Sequence, residues 1–323
     1  MECRFKKGYS VYEKIGKEMI LICPHSGPAL QSVSARDDNS ETIASLVWES
    51  LGGKLVVSNI SRNRLFGVDF NRDIPPLKTA TNSYDFFSNS EDDKVSSYMK
   101  KYAWVAKDER EYYEKLKIYQ DFWAEVKDEK YILLIHRAFD RMKFVPSLMD
   151  ITIFTEAKIQ KKKVQEIISK INTKYYPFLK SIETDYKNAI LAETKRMILN
   201  ILRIHENSFD IHKMEKSFRE ILLKDLEKIE RYSDKIALNR LRNNFIPGNY
   251  IEAVRYALNN VPVPEITLEN VFDGSSAFGP KRKLFPVKDR IVLQVEPCLF
   301  LNFWHPQMAA KILQNIIEEL EKL

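Results

Sequence analysis

The chain has 323 residues, 44% of them hydrophobic and 30% charged, with a formal net charge of +6. That is enough apolar material for one large core, or a core plus an accessory module, and too much for a disordered or fibrous chain. No apolar run approaches the roughly 20 residues that span a bilayer. The opening stretch MECRFKKGYSVYEKIGKEMILIC is too polar and broken for a signal peptide, so a cytoplasmic location without membrane contact is the expectation. Cys3, Cys23 and Cys298 lack CxxC spacing, which argues against a disulfide framework or a cysteine zinc site. Cys23 and Cys298 lie in apolar runs and read as buried thiols.

In chain order, the apolar run Met19–Cys23 predicts a strand that stops at Pro24-His25-Ser26-Gly27. Glu41–Leu51 follows with helical spacing, and Lys54–Ser58 is a second strand. NSYDFFSNSEDDKVSS, residues 82–97, reads as a polar loop. Lys107–Val126 predicts a helix, and Tyr131–Ile135 and Asp150–Thr155 predict strands. From Glu156 to Phe245 there is no glycine and a single proline, Pro177. Apolar residues recur there at helical spacing, at Ile167, Ile171 and Tyr175 and again at Phe218, Leu222, Leu226 and Ile229. This predicts two or three long helices, broken at Pro177 and near HENSFD, with Asp210 capping a helix over Lys213–Arg231. NFIPGNY reads as the turn that closes the segment. Ile291–Val295 and Gln307–Leu320 are the last strand and helix.

Short, unalternating apolar strands interleaved with helices imply an α/β fold. Three layers are expected, with helices on both faces of a mostly parallel mixed sheet. The α/β body is assigned to 1–156 and 247–323, and an all-α insertion to 157–246. That insertion carries 20 Lys and Arg against 12 Asp and Glu, a net +8, which leaves −2 for the remainder. No nucleic-acid motif or aromatic interleaving accompanies the charge, so solvated helix faces are expected rather than nucleic-acid contacts. The insertion is expected to lid a pocket or to join two copies in a homo-oligomer.

Ligands of open α/β sheets sit beyond the carboxyl ends of the strands, and the polar residues gather there. His25 follows the first strand. Arg62 and Arg64 follow the second, ahead of Asn71 and Arg72. His136 follows Tyr131–Ile135, and Glu296 ends the last strand. Two imidazoles and a carboxylate with one open position form a catalytic zinc arrangement, in which the bound water acidifies towards a pKa of about 7. A further carboxylate outside the ligand set, for which Glu296 is placed, would move the water's proton to a leaving nitrogen. Arginine clamps a carboxylate with two parallel hydrogen bonds. His205, His212 and His305 read as structural, His305 as the start of the last helix.

ICPHSG, SRNRLFGVDFNRDIPP, LLIHRAFD with MDITIFT, ENVFDGSSAFG and LQVEPCLFLN occur in this order over roughly residues 18–155 and 262–303. In these motifs the chain resembles the N-formylglutamate amidohydrolase family, which is related in fold to the zinc carboxypeptidases. The resemblance implies one zinc held by His25 and His136, with manganese or iron as alternatives. It implies Glu296 as general base, Asn71 and Arg72 on a substrate carboxylate, and Arg62 or Arg64 near the scissile carbonyl. The family's third ligand is an acid just before the following helix. Asp38 fits best, with Asp37 and Glu41 as alternatives. Two departures stand out: Arg137 follows the strand-ending His136, where the family commonly has Ser, and the glycine-rich loop becomes VFDGSSAFGPKRK. Arg137 is expected either beside the metal or turned away to pair with Asp140.

The implied activity is zinc-dependent hydrolysis of an N-acyl, formyl-like amide on a substrate bearing a carboxylate. A carboxypeptidase-like peptidase would use the same arginine clamp. A scaffold protein working through its basic helices is the reading from outside enzymes.

Overall fold

A computed structural model of the chain describes residues 1–30, 36–89, 93–127, 129–154, 158–206, 220–272 and 290–322. Eight strands form one mixed sheet: β1 (Glu2–Lys6), β2 (Tyr9–Lys14), β3 (Met19–Cys23), β4 (Gly53–Ser58), β5 (Tyr131–Ile135), β6 (Ser147–Ile153), β7 (Glu265–Leu268) and β8 (Ile291–Pro297). Their order across the sheet is β1-β2-β4-β3-β5-β8-β6-β7. The central four, β4, β3, β5 and β8, are mutually parallel, so their carboxyl ends share one rim. β6 returns antiparallel to β8, with Asp150 opposite Glu296, and β7 runs parallel to β6.

The apolar runs of the central strands are explained by burial on both faces. Met19, Leu21 and Cys23 of β3 point into one core, with Ile43 and Val47 of the helix Ser40–Leu51 and Leu313 and Ile317 of the helix Pro306–Leu320. Ile20 and Ile22 point the other way, onto Phe70, Trp104, Tyr119 and Phe122. Residues alternate between faces along a strand, so a sheet covered on both sides reads as a continuous hydrophobic stretch. Each fully buried Leu or Ile contributes about 1.5–3 kcal/mol.

Several elements depart from the sequence expectation. β1 and β2 form an antiparallel hairpin across Lys7-Gly8, where Gly8 has φ 91°. Its charged positions hid it from a search for apolar runs. Residues 82–97 are not simply a loop: helices span Tyr84–Asn89 and Asp93–Lys101, with 90–92 outside the described residues. Pro177 does not end its helix, which runs from Lys158 to Ser181. Tyr175 and Leu179, on either side of it, are buried in the core, and this packing holds the last turn despite the lost N–H. NFIPGNY is no terminator either, because Pro247 opens the helix Pro247–Asn260, where a proline needs no hydrogen bond. Of the helix expected over Lys213–Arg231, residues 220–227 are helical and 213–219 lie outside the described residues, as does His212.

The helices that follow β6 share the main core. Val164, Ile167 and Ile171, and later Leu222 and Leu226, belong to the same buried cluster as Leu133 of β5 and Val295 of β8. Arg141, beyond β5, donates to Asp225 at 2.7 and 3.1 Å, tying residues 220–227 to the sheet. No helix among the described residues is long and apolar enough to cross a membrane.

Asp140 lies in this core, accepting from the Phe300 amide at 3.0 Å, and burial pushes its carboxyl up to about 6. A carboxyl raised above its unfolded value of about 3.9 favours the native state only while protonated. Stability from this group is therefore full below about pH 4 and declines as pH rises through about 6, by about 2–3 kcal/mol. Asp140→Asn, which keeps an acceptor for the amide, is expected to abolish that decline in urea unfolding measured from pH 4 to 7. An unchanged pH slope contradicts the assignment.

Candidate metal centre

β3 stops at Cys23, and the loop after it carries His25 into the rim. Gly27 lets this loop lie against β4's continuation, since a Cβ there would come within 1.8 Å of the Ile60 carbonyl oxygen. The next described turn brings Asp37 back, its amide donating to the His25 carbonyl at 2.9 Å, and its own carbonyl accepts from Ser40 at the start of the following helix. β5 ends at Ile135, and the His136 amide donates to Val295 of β8 at 2.9 Å. Backbone bonds thus register all three segments against one another.

The side chains converge on one carboxylate oxygen. Asp37 Oδ2 lies 3.1 Å from His25 Nδ1 and 2.8 Å from His136 Nδ1, and the two ring centroids are 4.9 Å apart. All three residues are buried, with donor atoms within 4.8 Å of one another. Ligand bonds of about 2.0–2.2 Å reach a common centre from such a set. Burial pushes the Asp37 carboxyl up, but the facing His25 and His136 outweigh it and hold the group below the usual carboxylate range. The acid is therefore ionised, as a ligand must be.

The opposite ring edges are held as a metal site requires. His25 Nε2 is 3.0 Å from Asp69 Oδ1, a fully buried carboxylate. Burial also opposes ionisation of Asp69, yet Arg64, His25 and Arg62 bring it well below its ordinary value. With a metal bound, Asp69 would accept the Nε2 proton and leave Nδ1 to the metal, the carboxylate–histidine–metal pattern. His136 Nε2 faces the Asn71 side-chain amide at 3.1 Å. Rotating that amide by 180° turns its oxygen to the Nε2 proton and gives a partner to Oδ1, which otherwise has none among the described residues. Two imidazoles, an ionised carboxylate and two outer acceptors are a donor set that fits zinc.

The acid that the structure brings to the two histidines is Asp37, not the favoured Asp38. Asp38 pairs with Arg36 at 3.3 Å, and Glu41 also bonds to Arg36, so both acids are turned away from the histidines. Counting along the sequence could not resolve neighbours whose side chains point to opposite sides of one turn. Arg64 is a second correction. It is buried, pairs with Asp69 at 2.8 Å and donates to the carbonyls of Arg62, Met99 and Tyr102. Its guanidinium is fully engaged behind the site, and it does not line the cavity. Arg62 does, with Nη1 3.7 Å from Asp37 and Nε 3.6 Å from Asp69.

A cavity of about 360 Å³ opens over the three residues. Asn71, Arg72, Arg137 and Glu296 line it, with Phe139, Phe144 and Phe272 as apolar wall. Glu296, at the end of β8, accepts from Gln294 Nε2 at 2.6 Å. Phe272 is placed by Asp150, whose carboxylate accepts from the amides of Asn270, Val271 and Phe272 and from Thr267 Oγ1. Arg137 lines the cavity and acts on Asp140 through space without an ion pair between them. Residues 273–289 of the glycine-containing loop lie outside the described set. His305 starts the last helix, packed between the Phe178 and Phe300 rings. Asp69, Gln294 and the phenylalanines carry no isolated sequence signal; only the spacing of Asp69, two residues before Asn71, hints at its place.

The fold and site define a mixed α/β protein with a buried His-Asp-His cluster under a polar cavity at the carboxyl rim of its parallel strands. Among solved structures the chain is similar to the crystal structure of gene product Atu2144 from Agrobacterium tumefaciens. The two share 11% identity and a TM-score of 0.49, over 98% of this chain and 95% of that one. No family model and no curated protein matches the chain.

Gly27→Ala forces its new methyl group into the Ile60 carbonyl. It is expected to cost about 2–4 kcal/mol in denaturant unfolding; stability within 0.5 kcal/mol of the parent, roughly the scatter of surface substitutions, contradicts the close approach.

Proposed function

We propose that this chain is a zinc-dependent amidohydrolase of carboxypeptidase-like fold that cleaves an N-acyl, formyl-like amide on a carboxylate-bearing substrate. The observation that carries the reading is the convergence of His25 Nδ1, Asp37 Oδ2 and His136 Nδ1 in one buried cluster. Zinc bound there supplies Lewis acidity towards a carbonyl and an acidified water.

The remaining roles follow from the cavity's own side chains. Glu296 is a carboxylate outside the donor set but within the same cavity. It takes the proton of the attacking water and delivers it to the departing nitrogen, so the amine leaves neutral. The Gln294 amide donates to one Glu296 oxygen and orients the carboxylate for this exchange. Arg62 places positive charge beside the cluster, where negative charge grows on the carbonyl oxygen as it is attacked. Arg72 has no ion-pair partner among the described residues and meets the substrate carboxylate. Phe139, Phe144 and Phe272 exclude water from one wall and strengthen these charge interactions.

Elemental analysis of the purified chain is expected to give about one zinc per chain. His136→Ala and Asp37→Asn lose it, because each removes one of only three protein ligands. Asp38→Asn keeps it. Equal metal in the parent and His136→Ala contradicts the site.

Glu296→Gln is expected to retain zinc and lower kcat on N-formyl amino acids by about 10²- to 10⁴-fold, with KM little changed. A steady-state assay showing parental kcat removes Glu296 from proton transfer.

A further inference from the structure

Two features of the cavity assign its anion-binding groups differently from the sequence expectation. The first is Asn71. Its Nδ2 lies 3.1 Å from His136 Nε2, and turning the amide by 180° puts there its oxygen, which has no partner among the described residues. A ring that offers Nδ1 to a metal carries its proton on Nε2, so the amide oxygen is committed to that proton. Asn71 in this chain holds a ligand ring in place and has no free carbonyl for a substrate.

The second feature is Arg137. It directly follows His136, is 7% exposed, and lines the cavity. Its Nη2 donates to the Arg36 carbonyl at 2.8 Å, and its guanidinium lies 4.5 Å from the centre of the Phe139 ring. These contacts fix the orientation of the group but do not neutralise it. Asp140 feels its charge through space, but among the described residues no carboxylate forms an ion pair with Arg137 and its Nε has no acceptor. A buried guanidinium without a counter-ion is costly. Arg72 repeats the pattern, lining the same cavity with an Nε that has no acceptor and only a long 3.5 Å bond from Nη1 to the Asn71 carbonyl. By contrast Arg62 and Arg64 both have acids nearby.

We propose that Arg137, together with Arg72, is the substrate's anion clamp, and that Asn71 is a positioning residue for His136. The group it takes is a carboxylate of the amide substrate, so the assignment rests on the hydrolase reading. The pairing has a geometric consequence. Arg137 adjoins the ligand His136 in sequence and hydrogen-bonds the residue preceding the ligand Asp37, so an anion held there sits at a fixed distance from the cluster. The apolar wall of Phe139 on one side of the guanidinium strengthens the contact by excluding water.

The test uses two probes that differ only in the carboxylate, N-acetylalanine and N-acetylalaninamide, titrated calorimetrically into the zinc-loaded full chain in a Glu296→Gln background, which serves as the parent and suppresses hydrolysis of either probe. The parent is expected to bind the acid and to bind the amide at least tenfold more weakly. Arg137→Gln lowers affinity for the acid by about 10- to 100-fold, the range of a lost charge-assisted hydrogen-bond pair. It leaves the amide within twofold and the zinc content at the parental value. Arg137→Lys, which keeps the charge but not the fork, lies between the two and supplies the readout if the glutamine variant does not fold. Asn71→Ala weakens zinc affinity and leaves the acid-to-amide ratio of the reloaded chain unchanged. Equal binding of acid and amide by the parent, or parental acid affinity in both Arg137 variants, overturns the clamp. Zinc content separates this failure from that of the hydrolase reading: a parent holding one zinc that His136→Ala loses keeps the centre while discarding the clamp.

Discussion

One carboxylate oxygen, Asp37 Oδ2, lies between two buried imidazoles, and the surrounding structure is arranged around that contact. An isolated buried carboxylate would stay protonated. Here the histidines on both sides hold it ionised, and each histidine is braced from behind, His25 by Asp69 and His136 by Asn71. Asp69 is in turn held by Arg64, whose other donors are spent on three carbonyls. The chain of contacts from Arg64 through to Asn71 is a continuous polar seam beneath the cavity. Removing any internal member leaves a buried charge or ring proton unmatched.

The sheet topology makes the seam achievable. Three parallel neighbours, β3, β5 and β8, deliver His25, His136 and Glu296 to the same edge, because parallel strands end on the same side. The antiparallel return of β6 then places Asp150 beside Glu296, where it caps the turn carrying Phe272. Buried branched side chains on both faces of these strands fix their register, and a strand shifted by one residue would turn its terminal side chain away from the cavity.

What the sequence made legible follows from the same physics. Strands buried on both faces stand out as apolar runs, and β3, β4, β5 and β8 were found that way, with His25, His136 and Glu296 at their ends. β1 is an exposed edge strand, β2 beside it ends in charged residues, and β7 is four residues long, so none of the three leaves such a run. Proline misled twice. Pro177 sits four residues before its helix ends, and Pro247 sits where a helix begins, so neither breaks one. The choice between Asp37 and Asp38 depends on the turn joining the 36–39 stretch to the helix, with Asn39 in a left-handed conformation at φ 62°. Only the three-dimensional path shows that Asp37 faces inward while Arg36 draws Asp38 outward. Arg64 was misplaced for a related reason, since an arginine near a site in sequence can serve it from behind.

The cavity is lined by the acids Asp37 and Glu296, by three arginines, Arg62, Arg72 and Arg137, and by three phenylalanines. All of it depends on the two imidazoles presenting Nδ1 to a common point. Anomalous diffraction at the zinc edge from crystals of the zinc-loaded chain measures that directly. The account predicts a single strong peak about 2.0–2.2 Å from His25 Nδ1, His136 Nδ1 and Asp37 Oδ2. A peak coordinated by Nε2 of either ring, by Asp38, or away from these residues would contradict it.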